Sequence, residues 1–173
     1  MPSDDYVELV IREALPEDFG AVMRLYRQLH PADPILDDGR DRDTFNAILD
    51  ASGLTMLVLE LGDLVVATTY LNVIPNVTRS ASPYAVIENV VVDETMRGTG
   101  LGKQIMAATL QAAWDAGCYK AMLLTGSTNP ATHAFYRRCG FSSDVKTAYI
   151  ARPSQPDRSV SDTRPIDERR PPP

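Results

Sequence analysis

The chain has 173 residues, of which 44% are hydrophobic, a length that suits one domain burying about two-thirds of its unfolded surface. The formal net charge of −6 argues against a nucleic-acid-binding protein, which presents a basic face, and favours cationic small molecules as partners. Because no apolar run approaches the roughly 20 residues of a membrane span and the N-terminus MPSDD is acidic where a signal peptide is basic, we expect a soluble, cytoplasmic protein with no membrane partner.

The first part of the chain switches from strand-like to helix-like apolar spacing. Residues 7–13 alternate like a strand, and Pro16 then begins a helix that should stop near Pro31. The apolar residues of this helix recur at helical spacing: Phe19, Val22, Tyr26 and Leu29. After a loop, residues 41–50 predict a second, short helix.

Two strand-like runs follow, residues 55–61 and residues 64–74. They are separated by the pair Gly62-Asp63, which is typical of a two-residue hairpin turn. The sequence therefore predicts an antiparallel hairpin.

The middle of the chain predicts a strand-helix-strand unit. Residues 85–93 are a strand-like run, and the spacing becomes helical over residues 101–116, with Gly117 placed to end the helix. Residues 119–125 predict the next strand. We therefore expect a crossover connection between residues 86 and 125.

The C-terminal part predicts a last helix and a last strand. Asn129 can cap a helix that runs to Cys139, and residues 141–150 can close the sheet. Residues 152–173 are rich in proline and in charge of both signs, with almost no large apolar side chain. Such a segment does not repay its ordering entropy, so we expect a disordered tail after a domain spanning residues 1–151.

These elements together predict an α/β (α+β) fold with a mixed, mostly antiparallel central sheet and one strand-helix-strand crossover. The chain has only two cysteines and two histidines, and their spacing is not that of metal ligands, so we expect no bound metal. Cys118 and Cys139 are interpreted as reduced thiols in or near the core.

A cluster of glycines at the junction between residues 85–93 and the following helix is the main functional signal. Backbone N–H groups at the start of a helix form an anion site, and glycine lets a phosphate approach closely. The dinucleotide fingerprint G-x-G-x-x-G does not fit, because no third glycine has the required spacing. The P-loop does not fit either, because Arg97 replaces its first glycine and Gln104 replaces its hydroxyl residue.

The pattern that remains, Arg97-x-x-Gly100-x-Gly102, resembles the pyrophosphate loop of the GNAT superfamily of acyl-CoA-dependent N-acyltransferases. A second motif of that family pairs an asparagine with a tyrosine seven residues later and then a Gly-Phe pair, here Asn129, Tyr136 and Gly140-Phe141.

The pieces IENVVVD, GCYK and FYRRCGF are also similar to the glucosamine-phosphate N-acetyltransferase branch. The resemblance covers residues 7–150, and residues 85–141 carry the diagnostic motifs. It implies a GNAT-like fold with helices on both faces of the sheet.

The resemblance implies that acetyl-CoA is the acyl donor. The loop residues expected to contact its pyrophosphate are Arg97, Gly98, Thr99, Gly100, Leu101, Gly102 and Lys103. Of these, Arg97 and Lys103 would neutralise phosphate charge, although both could be ordinary surface charges. The strand segment expected to pair with the pantetheine amides is Val90, Val91 and Val92. In GNAT folds this strand and the next splay apart, often with a bulge that turns an N–H toward the thioester carbonyl.

Four further side chains are candidates for the site. Tyr136 is predicted to hydrogen-bond the leaving sulfur, against the alternative of a core aromatic residue. Glu88 is the candidate base, against the alternative of a solvated strand residue. Asn129 is a helix cap and a candidate coenzyme contact. His30 is a candidate acceptor-binding residue, against a surface or capping histidine.

The sequence therefore predicts an acetyl-CoA-dependent N-acetyltransferase that acts on a small primary amine by direct attack in a ternary complex. A protein N-terminal or lysine acetyltransferase and a non-catalytic acyl-CoA-binding module stay open as alternatives. The predicted partner is a small-molecule amine, with no nucleic acid, and a homodimer is left open.

Overall fold

A computed structural model describes residues 7–153 of the chain. Five strands form one sheet in the order β1-β2-β3-β4-β5, and the chain divides after Ser143 into two units, of which the first carries the sheet. The strands are β1 (Leu9–Glu13), β2 (Leu54–Leu61), β3 (Leu64–Ile74), β4 (Tyr84–Val92) and β5 (Ala121–Met122). The helices are α1 (Phe19–Leu29), α2 (Arg40–Asp50), the single turn α3 (Thr78–Ala81), α4 (Leu101–Asp115) and α5 (Pro130–Arg138).

Antiparallel pairing dominates the sheet. The pairs β1-β2, β2-β3 and β3-β4 are antiparallel, whereas β5 runs parallel to β4. A parallel neighbour requires a crossover connection, which α4 provides. The predicted mixed, mostly antiparallel sheet with one crossover is confirmed.

The turn between β2 and β3 is the predicted two-residue hairpin. Leu61 pairs with Leu64, so Gly62 and Asp63 alone reverse the chain, and Gly62 has a φ of +61°. Two-residue hairpin loops favour positive φ, which glycine adopts without steric cost.

Helices cover both faces of the sheet, as predicted. In β2, Met56 and Val58 belong to a core shared with α1 and α2, whereas Leu57 and Leu59 belong to a core shared with α4. Successive side chains of a strand point to opposite faces, so one continuous apolar run fills both cores. Burying each of these side chains fully contributes about 1.5–3 kcal/mol.

Buried hydroxyls tie β3 to its neighbours. Thr69 Oγ1 lies 2.7 Å from Thr109 Oγ1 of α4, and Thr68 Oγ1 donates to the carbonyl oxygen of Leu57 at 2.8 Å. Both threonines of β3 are fully buried, where an unpaired hydroxyl would cost about 1–3 kcal/mol. These bonds fix α4 and β2 to the part of β3 that lies opposite residues 89–91 of β4.

The C-terminal part of the sheet is shorter than predicted. β5 contains only Ala121 and Met122, not residues 119–125. Residues 141–150 form no strand, so the prediction that they close the sheet is wrong. Turn-forming residues Ser142, Ser143 and Asp144 interrupt the apolar pattern, and residues 142–150 are all exposed, so no burial stabilises an extended conformation.

The second unit begins at Asp144, and its described residues, 144–153, contain neither helix nor strand. Most of the predicted tail, residues 154–173, lies outside the described residues, so the tail and the domain boundary at residue 151 stay predictions. Between residues 7 and 153, no helix is long and apolar enough to cross a membrane.

The two cysteines are free thiols in the described part of the chain. Cys118 is buried and Cys139 is half-buried, and both pack in the core cluster between the sheet, α4 and α5. Their predicted position in or near the core agrees with this packing.

Candidate active site

The loop between β4 and α4 has the backbone geometry of an anion site. A 3-10 turn, Glu94–Met96, leads into it, and Gly98 and Gly100 have φ angles of +83° and +92°. Gly100 is the N-cap of α4. Within residues 7–153, no acceptor pairs with the amides of residues 98–102, which lie at the positive end of the helix dipole.

Two of the three glycines have open space where a side chain would be. A Cβ added at Gly98 or Gly100 would meet no described atom within 4 Å, so a ligand can approach this backbone. A Cβ added at Gly102 would lie 3.3 Å from Phe135 Cε2 and 3.3 Å from Val92 Cγ2. The small size of Gly102 therefore lets α4 pack closely against α5 and β4.

Basic side chains flank the loop. Arg97 is exposed, and its Nε donates to the carbonyl oxygen of Val92 at 3.2 Å. Lys103 is exposed in the first turn of α4. Both cations therefore lie beside the unpaired amides, where they add to the favourable field for an anion.

One edge of β4 is open along its second half. On the side of β5, only Ala85 and Val86 are paired, and no described strand pairs with β4 beyond them. The amide of Asp93 donates to β3 at 2.8 Å, which places the peptide groups of Val91 on the β3 side and those of Val92 on the open side. β4 and β5 therefore separate into the slot that the resemblance implied.

A β-bulge lies in the middle of β4. Glu88 pairs with Tyr70 and Val91 pairs with Thr68, so Asn89 and Val90 together oppose a single residue of β3. Asn89 has a φ of +50°, a left-handed conformation that asparagine tolerates better than most residues. The bulge lies at the start of the open edge, beside the segment predicted to bind the coenzyme.

Tyr136 lies half-buried in α5. Its ring centroid is 5.1 Å from that of Phe135 and 6.1 Å from that of Phe141. Burial raises the pKa of Tyr136, and the nearby Cys139 and Glu88 raise it further. The phenol is therefore neutral at physiological pH and is a hydrogen-bond donor.

Glu88 is half-buried on β4, directly before the bulge. Alternation along the strand places it on the face opposite Ile87, which packs in the core near α4. Its carboxylate contributes to the raised pKa of Tyr136, so the two predicted catalytic residues lie within electrostatic reach of each other. Their roles stay predictions.

A cavity of about 490 Å³ lies on the α1 side of the bulge. Its lining residues come from α1, from the loop that follows it, from the start of α2 and from the bulge: Met23, Tyr26, Arg27, His30, Asp33, Pro34, Ile35, Leu36, Asp41 and Asn89. His30 therefore lines the same cavity as the bulge residue Asn89. Glu88 does not belong to this lining.

Sequence reasoning placed Tyr26 only on the apolar face of its helix and missed its position in the cavity. Its hydroxyl is buried and makes no hydrogen bond of normal geometry among the described residues, although the side chain of Asn89 lies close to it. Burial raises the pKa of Tyr26 to about 12, and the neighbouring side chain of Asn89 opposes this rise by lowering the pKa. The signal in the sequence was its spacing, because Tyr26 precedes His30 by four residues and so shares its helix face.

Asn129 is the predicted helix cap. Its side-chain oxygen accepts from the amide of Ala131 at 2.9 Å, which stabilises the start of α5. Nothing in the described structure joins Asn129 to the glycine loop, so its contact with the coenzyme stays a prediction.

Residues 19–141 match the family model described as "Acetyltransferase (GNAT) family". The chain is 32% identical over 120 residues to "Glucosamine 6-phosphate N-acetyltransferase 1" of Oryza sativa subsp. japonica, covering 68% of this chain and 70% of that protein. It is 28% identical over 149 residues to "Aminoglycoside N(6')-acetyltransferase type 1" of Stenotrophomonas maltophilia, covering 84% and 94%. The match to "Probable glucosamine 6-phosphate N-acetyltransferase 2" of Oryza sativa subsp. japonica spans only 31% of that relative's length.

Among solved structures, a "Putative acetyltransferase from Agrobacterium tumefaciens str. C58" is 43% identical with a TM-score of 0.79, covering 83% of this chain and 99% of that one. The family model covers more than half of the chain, and the fold agrees with that of a solved relative along nearly all of the relative's length. The protein therefore belongs to the acetyltransferase (GNAT) family.

Proposed function

We propose that the protein is an N-acetyltransferase that transfers an acetyl group from acetyl-CoA to a primary amine of a small molecule, by direct attack in a ternary complex. One observation carries the proposal: the unpaired amides of residues 98–102 adjoin the open edge of β4. An anion site followed by a free strand edge suits a pyrophosphate joined to an arm that contains amides.

The residues present fit acetyl-CoA. The amides of the glycine loop would hold the pyrophosphate, and Arg97 and Lys103 would balance its charge. The peptide groups of Val92 lie on the open edge, and alternation gives Val90 the same orientation, so these two residues suit the pantetheine arm better than Val91 does. The side-chain NH₂ of Asn129, whose oxygen caps α5, makes no hydrogen bond among residues 7–153 and would be available for a second contact with the coenzyme.

Acetyl-CoA supplies the acetyl group as an activated thioester, and the protein side chains manage the protons. An alkyl amine with a pKa near 10 is protonated at pH 7, so Glu88 takes one proton from it, directly or through a water molecule. The amine nitrogen then bonds to the carbonyl carbon as the bond from that carbon to sulfur breaks, and the second proton on nitrogen passes, directly or through water, to the departing thiolate, which leaves as the free thiol of coenzyme A. A backbone N–H at the bulge is placed to stabilise the charge that develops on the carbonyl oxygen.

Tyr136 assists the leaving group. Its raised pKa keeps the phenol protonated, so that it donates a hydrogen bond as negative charge builds on sulfur. Because a thiol has a pKa near 8.5, complete proton transfer from the phenol is unfavourable and is not required.

The acceptor enters from the α1 side of the sheet. A cavity of about 490 Å³ is of the size that binds small molecules, which favours a small amine over a protein substrate. The two acidic residues of its lining, Asp33 and Asp41, outnumber the one arginine there, Arg27, so the charge of the lining favours a cation. Two relatives are named for action on amino sugars, so amino sugars are the first acceptors to test. A homodimer and a cytoplasmic location remain predictions from the sequence.

A thiol-release assay with acetyl-CoA tests the proposal against a panel of amines: glucosamine 6-phosphate, aminoglycosides, polyamines, amino acids and short peptides. We expect release above the hydrolysis background with at least one small amine. Release with peptides alone would show a protein acetyltransferase. Tight coenzyme binding without turnover on any amine would show a binding module.

A further inference from the structure

Asp93, at the end of β4, makes hydrogen bonds in two directions. The residue is 6% exposed. Its Oδ1 accepts from the amide of Thr95 at 3.1 Å and from Thr95 Oγ1 at 2.7 Å, so it caps the turn that leads into the glycine loop. Its Oδ2 accepts from Arg24 Nη1 and from Gln28 Nε2 of α1.

The partners of Asp93 on α1 are themselves fixed to the sheet and to the loop. Arg24 Nη2 donates to the carbonyl oxygen of Val65 in β3 at 2.7 Å. Gln28 Oε1 accepts from the amide of Glu94 at 2.9 Å. One face of α1 is therefore bonded to the start of the glycine loop.

Another face of the same helix lines the acceptor cavity. Tyr26 and His30 lie there, between and beyond the two residues bonded to Asp93. Since helix α1 moves largely as one body, a shift of its bonded face displaces the cavity wall. Two links therefore connect the glycine loop to the helix that lines the acceptor cavity: the carboxylate of Asp93, bonded to Arg24 and Gln28, and the amide of Glu94, bonded to Gln28.

We propose that Asp93 is a positioning residue that couples the two binding sites, so that coenzyme binding at the glycine loop orders helix α1 and the acceptor cavity. This inference rests on the proposed function, because it takes the loop as the coenzyme site. Asp93 itself lies outside residues 97–103 and outside the lining of the cavity. The hydrogen bonds from Thr95 hold its pKa well below the ordinary range, so the carboxylate that bonds α1 is ionised at neutral pH.

Because the two carboxylate oxygens of Asp93 have different partners, one substitution can separate their effects. In Asp93→Asn, the side-chain oxygen can still accept from Thr95, but an NH₂ group then faces the donors of Arg24 and Gln28. The loop cap survives and both bonds from α1 to the Asp93 side chain are lost, whereas the bond from the amide of Glu94 to Gln28 remains. Gln28→Ala, a second and milder variant, removes one bond from α1 to Asp93 and one to Glu94.

Asp18 provides a matched control. It is also 6% exposed and is also paired with an arginine, because Arg12 Nη1 donates to it at 2.6 Å. Its other partner is the amide of Leu15, and none of these residues belongs to the glycine loop. Asp18→Asn therefore disturbs a comparable ion pair without touching the proposed connection.

Hydrogen–deuterium exchange with and without saturating coenzyme A tests the coupling, with saturation set for each variant by calorimetry. In the wild type we expect coenzyme A to slow exchange in residues 94–104 and, by about fivefold, in residues 22–30. In Asp93→Asn we expect coenzyme A to slow exchange in residues 94–104 but not in residues 22–30. In Gln28→Ala we expect a smaller slowing of exchange in residues 22–30 than in the wild type. Asp18→Asn should show the same pattern of slowed exchange as the wild type.

Two results would overturn the coupling while leaving the proposed function intact. In one, the wild type binds coenzyme A without protection of residues 22–30. In the other, that protection persists unchanged in both Asp93→Asn and Gln28→Ala. If the wild type does not bind coenzyme A at all, the proposed function fails, and the coupling fails with it.

Discussion

The proposed coenzyme side of the site and its proposed acceptor side are made from different parts of the chain. The coenzyme side consists of residues 97–103 and the open edge of β4, and it acts mainly through backbone groups. The proposed acceptor side is the cavity whose lining comes from α1, from the loop that follows it, from the start of α2 and from the bulge. Backbone geometry constrains sequence tightly, whereas a cavity wall can change one side chain at a time. The comparison suggests why relatives of similar sequence are named for different acceptors, glucosamine 6-phosphate and aminoglycosides.

The largest effect is expected from Gly100→Val, which disrupts the coenzyme side. Valine is strained at a φ of +92°, and its branched side chain occupies space through which an anion reaches the amides. Losing two charge-assisted hydrogen bonds of about 1.5–3 kcal/mol each should weaken acetyl-CoA binding by about 100-fold or more. Isothermal titration calorimetry measures this affinity.

Gly39→Val is the matched control. Gly39 is also a helix N-cap with positive φ, at +80°, and a Cβ there would also meet no described atom within 4 Å. The control should lose stability and keep its acetyl-CoA affinity. Near-normal affinity in Gly100→Val would exclude the glycine loop as the coenzyme site.

The second prediction, Tyr136→Phe, separates chemistry from binding on the coenzyme side. Turnover should fall by roughly 100-fold, the lower end of the range for general-acid assistance, because a thiolate leaves readily. The Michaelis constant for acetyl-CoA should change little, since the ring still packs against Phe135 and Phe141. Steady-state kinetics measures both, with the exposed Tyr119→Phe as control. Unchanged turnover would make Tyr136 a packing residue.

The third prediction, Tyr26→Phe, tests whether the acceptor side can be changed alone. Removing this buried hydroxyl, which makes no hydrogen bond of normal geometry among residues 7–153, should raise the melting temperature slightly. Losing about 1 kcal/mol of hydrogen bonding to an acceptor should raise its Michaelis constant by about fivefold. Calorimetry should show unchanged acetyl-CoA affinity. A parallel loss of coenzyme affinity would contradict the separation of the two sides.

The smallest effect concerns acid stability and compares Asp93, between the two sides, with Asp18, outside them. Hydrogen bonds from Thr95 lower the pKa of Asp93, and one from Arg12 lowers the pKa of Asp18, both from an ordinary value of 3.8. A lowered folded-state pKa stabilises the fold above the unfolded value, and this stabilisation is lost as the pH falls below it.

Thermal melts should therefore change little from pH 7 to about pH 5 through these two groups and should decline below about pH 4. Asp18→Asn and Asp93→Asn should each lower the melting temperature at pH 7 and reduce its decline in acid. An undiminished decline in both variants would assign the acid sensitivity to other carboxylates.

Local chemistry explains why most of the fold could be predicted. The Gly62-Asp63 pair fixes its own hairpin, and the spacing of Leu101 and Ile105 fixes the buried face of α4. Residues 141–150 were predicted incorrectly because apolar content was taken as evidence for a strand. Whether such a segment pairs as a strand depends on burial by residues that are distant in sequence, and the segment's own sequence does not predict that burial.

The candidate site also contains parts that the sequence predicts and parts that it does not. The glycine spacing located the loop, because positive φ and close approach require glycine. The resemblance predicted a bulge in residues 90–92 without choosing a residue, and the bulge lies at Asn89 and Val90, because its exact position depends on the register between β3 and β4. The cavity was missed apart from His30, because its residues meet only after the chain has folded.

The open edge of β4 has a further consequence for protein handling. A strand with exposed N–H and C=O groups is a template to which another extended chain can add, and such edges promote aggregation. Here the bulge at Asn89 interrupts the regular edge, and the guanidinium of Arg97 covers the carbonyl of Val92. Both features disfavour intermolecular β-pairing, so the edge proposed to receive the coenzyme is also expected to resist self-association at high protein concentration.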